Sequence, residues 1–177
     1  YRVSIRGTEP GGNYCSCPDY ATNTLGTCKH LEFTLAALRK RRGARAAFAR
    51  GWRPAFSELY LHYGAAPELH LRLGTDAPPR LGSAVRLRCD DAGRILTPGR
   101  VPALVKSAAR RGHELRFYDD AREHLAREHD AERRRASLKK AYPKGERDAR
   151  LRTVLPGAKL LPYQRRGAWF IAATGRC

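Results

Sequence analysis

The sequence predicts an α+β fold: a small stapled ββα unit first, then a mixed α/β accessory region and a charged helix. Three observations predict it. Three cysteines and a histidine crowd into residues 15–30, between strand-like alternation and a helical stripe. Residues 58–63 and 69–73 alternate on either side of a turn at 64–67, which reads as a β-hairpin. A charge-laced stretch at 120–142 opens with D-x-x-E and stops before Pro143 and Gly145.

In chain order, Tyr1, Val3 and Ile5 alternate with Arg2, Ser4 and Arg6, as a strand does. Gly11, Gly12 and Asn13 supply a hairpin turn, and residues 14–17 read as the returning strand. Leu31, Leu35 and Leu38 fall on one face of a following helix. Beyond the 58–73 hairpin, Pro78 and Pro79 interrupt the chain. Residues 84–89 read as a strand with Val85, Leu87 and Cys89 on one face, and 90–93 as a turn. Cys89 is expected to be a small buried hydrophobe. Residues 102–111 suit a short helix ended by Gly112, residues 114–118 a strand, and Trp52 an apolar anchor. These readings divide the chain at 1–50, 52–118, 119–150 and 151–177.

The cysteines carry the chemistry. Cys15, Cys17, Cys28 and His30 form C-x-C-x10-C-x-H. An odd number of cysteines with one tight cluster is not a disulfide framework. Four N/S donors suit tetrahedral zinc, and with no fifth ligand needed the site is structural. A unit this small gains much of its folding energy from the metal. The remaining histidines are scattered, and no nucleophile–base arrangement assembles from the sequence. The arrangement resembles the SWIM zinc finger, C-x-C then C-x-H after a variable loop, over about residues 1–42.

The charge points to a partner. There are 35 Lys+Arg against 17 Asp+Glu, a formal +18, and Arg dominates the basic set. Such a balance fits a polyanion, most often nucleic acid. Residues 39–53 hold seven basic residues and no acidic one. Arg39, Lys40, Arg41, Arg42, Arg45 and Arg50 are the expected phosphate contacts, on DNA or on RNA. No apolar run is long enough for a membrane helix, and residues 1–6 do not form a signal-peptide block. A cytoplasmic, nucleoid-associated protein is expected.

The last segment adds a second resemblance. Leu160, Pro162, Tyr163, Gln164, Gly167, Trp169 and Ile171 match L-x-P-Y-Q-x-x-G plus aromatic and aliphatic positions. This resembles the opening of Swi/Snf-class helicase-like ATPases, before which SWIM fingers occur in bacterial proteins. The resemblance implies that Gln164 meets the adenine of ATP. The phosphate loop that would follow is absent here, so ATP and Mg²⁺ belong to a longer parent, and this chain alone is not expected to hydrolyse ATP. Two other readings stay open. One is a zinc-dependent protein–protein interaction module, and the other is a nucleic-acid-binding protein without a motor.

Overall fold

The computed structural model describes residues 1–51, 53–153 and 159–175. Trp52 and residues 154–158 lie outside them. The architecture is α+β, divided into two compact units, Tyr1–Glu123 and His124–Cys177.

The first unit opens with a two-stranded antiparallel ribbon, β1 (Val3–Ser4) and β2 (Tyr14–Cys15), in the register Val3↔Cys15. Asn13 closes the ribbon's turn. Its Oδ1 accepts from Arg6 N at 2.7 Å and Gly7 N at 3.3 Å, and its Nδ2 donates to Gly7 O at 3.1 Å. Two helices follow, α1 (Pro18–Asn23) and α2 (Lys29–Arg39), with Leu31 and Leu35 buried and Leu38 half-buried. A short α3 (Ala44–Arg50) comes next and has no fully buried residue.

A three-stranded sheet forms the centre of the unit. The hairpin β3 (Ser57–His62) and β4 (Glu68–Arg72) pairs as its alternation predicts, with Leu59↔Leu71 and Leu61↔Leu69. After α4 (Pro79–Arg86) and α5 (Val101–Ala109), β5 (Leu115–Phe117) returns parallel to β3, giving the order β4-β3-β5. Alternation gives the sheet two unlike faces. Leu59, Leu61, Leu69 and Leu71 share one and are buried, as are Leu81 and Val85 of α4 and Val101 and Leu104 of α5. Glu58, Tyr60, His70 and Arg72 share the other.

One expected strand is a helix. Residues 84–89 were expected to be extended, but α4 runs through Arg86. Pro79 occupies its first turn, where a missing N–H costs nothing, and Leu81 and Val85 lie one turn apart on its buried side. The Val85, Leu87 and Cys89 alternation is therefore coincidental, and Leu87 is exposed. Cys89 is only half-buried, in a single bridge with Ile95. The turn at 90–93 does form, closed by Gly93 N donating to Asp90 O at 2.9 Å.

The charged helix α6 (Asp119–Ala141) begins in the first unit and continues in the second. It starts one residue before the expected cap, so Asp120 lies inside it and accepts from Tyr63 Oη–H at 3.1 Å and Ala121 N at 2.8 Å. In the second unit α7 (Pro162–Thr174) ends at Gly175, and Trp169 meets Tyr142 edge-on at 6.4 Å. No helix among the described residues is long and apolar enough to cross a membrane.

Candidate metal centre

Local geometry brings the four expected donors together. Cys15 ends β2, and Cys17 caps α1, its Sγ accepting from Tyr20 N at 3.3 Å. Cys28 precedes α2 as its cap residue, and His30 sits in the first turn of that helix. One pair thus comes from a strand end and the helix start after it, and the other from the start of α2. The loop between α1 and α2 is tightened by Asn23, whose Nδ2 donates to Thr27 O at 2.9 Å and whose Oδ1 accepts from Leu25 N at 2.8 Å. It also needs Gly26 (φ 71°), because a Cβ there would lie 2.4 Å from Tyr63 Cβ.

The donor atoms of Cys15, Cys17, Cys28 and His30 all lie within 4.8 Å of one another, with Cys28 Sγ 3.9 Å from His30 Nδ1. A zinc tetrahedron with Zn–S of about 2.3 Å has edges of about 3.7 Å, so the cluster fits the ion closely. The three cysteines are buried and His30 is half-buried, with the Tyr1 ring 4.9 Å from its own. These residues could bind a metal, and three thiols with one imidazole are compatible with zinc.

The thiols differ in acidity. Burial pushes Cys15 up to about 12, and its neighbours Cys17 and Cys28 add to the rise. Burial opposes ionisation at Cys17 as well. The Tyr20 N–H and hydrogen bonds from His30, Cys15 and Cys28 outweigh it and bring that thiol down to about 7. Cys17 is therefore the readier of the two to ionise, and cysteine binds a metal as the thiolate.

The metal cluster is not a free-standing finger. Tyr14, Cys15, Cys17, Tyr20, Cys28 and Leu31 share a buried cluster with Tyr118, and Tyr60 and Tyr63 pack against it. Arg6 ties this knot to the polar face of the sheet. Its guanidinium lies 4.1 Å from the Tyr60 ring centre and 4.4 Å from that of Tyr118. Its Nη1 donates to Gly12 O at 2.7 Å, and its Nη2 is 3.3 Å from Glu58 Oε1. Both side chains are nearly inaccessible, at 6% and 4% exposure. Glu58 also accepts from Tyr118 Oη at 2.7 Å and from Arg72 Nε at 2.9 Å. Burial works against this carboxylate, but Arg6, Tyr118 and Arg72 together hold its pKa below the ordinary value. Sequence reasoning missed this network. No local pattern marks Arg6, one of two basic residues in a six-residue strand signal, as buried.

The other expected site residues lie elsewhere. Arg39 ends α2, Lys40, Arg41 and Arg42 form the turn into α3, and Arg45 and Arg50 belong to α3. All six are exposed, and among the described residues their side chains have no ion-pair partner. Gln164 lies in the second unit, where its Oε1 accepts from Leu161 N at 2.9 Å and caps α7. Ser57 and His113 approach to 2.8 Å, but Ser57 is fully buried and accepts from Gly74 N, so the pair is a structural tie.

Comparison with protein-family models, with curated proteins and with solved structures finds no match to this chain.

Proposed function

We propose that this chain is a zinc-stapled, nucleic-acid-binding region that helps seat a DNA-dependent helicase-like ATPase of the Swi/Snf class on its substrate. The observation that carries the nucleic-acid reading is the set of six exposed cations from the end of α2 through α3, without an ion-pair partner among the described residues. Unpaired Arg and Lys side chains on adjoining helix ends can each neutralise a phosphate and release its counterion. Zinc, when bound, supplies folding energy and no reaction step. The motor reading rests on the Leu160, Pro162, Tyr163, Gln164 and Gly167 motif alone. Because Gln164 already caps α7, an adenine contact would use the amide face left over from that bond.

The test is a salt titration of DNA binding. Affinity should fall steeply, by about 0.9 log unit per log unit of salt for each phosphate contact. Replacing Arg41, Arg42 and Arg45 together by Ala should flatten that slope by about 2.7. Salt-insensitive binding would refute the reading.

A second reading has its own observation. Leu25 and Phe33 of the metal unit are 72% and 77% exposed. A zinc-dependent protein-interaction module would use such residues. No retention of DNA at low salt would favour it.

A further inference from the structure

Ile5 and Arg6 after β1, the C-terminal end of α2 and α3 line a groove of about 700 Å³. Ile5, Leu38 and Phe48 give it an apolar floor, and Arg41, Arg42 and Arg50 rim it. Phe48 is half-buried and also lines a second hollow of about 360 Å³, together with Thr8, Arg39 and Arg45. One aromatic residue therefore lines two recesses, and each recess carries exposed arginines without an ion-pair partner among the described residues.

We infer that this groove takes an unpaired nucleobase of single-stranded nucleic acid, with Phe48 as the stacking surface and the arginines on the flanking phosphates. The inference rests on the nucleic-acid reading above and narrows it. Charge complementarity selects the occupant, because among the described residues every charged group that lines the groove is an arginine. Guanidinium forks suit phosphate oxygens. A duplex presents stacked, paired bases, so a base can enter such a recess only after leaving the stack. The volume lies within the range of small-molecule sites and exceeds what a phosphate alone fills. Two recesses that share Phe48 suit two successive nucleotides of one strand, with Arg39 and Arg45 continuing the phosphate track.

Fluorescence anisotropy on the zinc-loaded chain tests this, with labelled oligo(dT) and a duplex of equal length at one salt concentration. Phe48→Ala should weaken oligo(dT) binding about tenfold and leave duplex binding within about twofold. Because Phe48 is half-buried, Ala47→Leu is the companion variant. Ala47 is exposed on α3 and lines the groove, so a larger side chain there fills the recess without disturbing a core. It should produce the same selective loss. Equal losses on both ligands, or none on either, would overturn base insertion while leaving nucleic-acid binding intact. If neither ligand binds at low salt, the nucleic-acid reading fails as well. If a peptide of alternating Glu and Phe then binds in a Phe48-dependent way, the groove belongs to a protein partner.

Discussion

Replacing Arg6 by Met should loosen the metal knot from the sheet without touching a metal ligand. The substitution removes a charged hydrogen bond to Gly12 O, contact with two tyrosine rings and one of the cations facing Glu58. Removing one partner of a buried pair costs about 3–5 kcal/mol. The lower end applies, because Arg72 and Tyr118 still hold Glu58. Arg6 Nε and Nη2 are buried without a hydrogen-bond partner, so their removal returns about 1 kcal/mol. The net loss is about 2 kcal/mol, or about 8 °C in the melting temperature of a unit this size. Thermal unfolding of the zinc-loaded protein measures it. A double-mutant cycle with Glu58→Gln should show coupling of about 1 kcal/mol or more. A shift of less than about 2 °C, or additive losses, would refute the claim that Arg6 joins the two parts.

Three further outcomes follow from the structure. Gly26→Ala should cost about 2 kcal/mol or more and weaken metal affinity, because its Cβ meets Tyr63 at a positive φ. Gly43→Ala, with φ 80° and open space around it, should cost only about 1 kcal/mol in unfolding experiments and spare the metal. Because the folded pKa of Glu58 is depressed, its contribution is fully present above the unfolded value near 4.5 and is lost as pH falls through the folded one. Glu58→Gln should therefore be destabilising at neutral pH, with the gap to wild type closing as acid is added, as urea unfolding at stepped pH would show.

The metal donors and the 58–72 hairpin were legible in the sequence because each depends on short-range spacing. Cysteines two apart need only an extended segment and a helix cap to converge, and strict alternation needs only a partner strand. Residues 84–89 misled because three alternating apolar residues also fit a helix end, and Pro79 was the stronger signal. The six residues of α1 were hidden in a loop too short and polar to show a stripe. Arg6 was illegible for a different reason. Its partners Glu58, Tyr60 and Tyr118 lie about 50 and 110 positions away, and only the assembled sheet face turns a surface-type residue into a buried tie. The place of half-buried Phe48 on two hollows likewise depends on how the chain at Ile5 and Arg6 lies beside α3, which no periodicity encodes.

The metal knot is the claim on which the rest stands, and cobalt substitution tests it most directly. Co²⁺ added to the reduced, metal-free chain should bind one per chain. It should give the intense visible bands of a tetrahedral thiolate site and a sulfur-to-cobalt charge-transfer band, and stoichiometric zinc should displace it. Cys17→Ser should weaken the charge-transfer band and lower the affinity. A pale octahedral spectrum, or one that Cys17→Ser leaves unchanged, would contradict a centre built from Cys15, Cys17, Cys28 and His30.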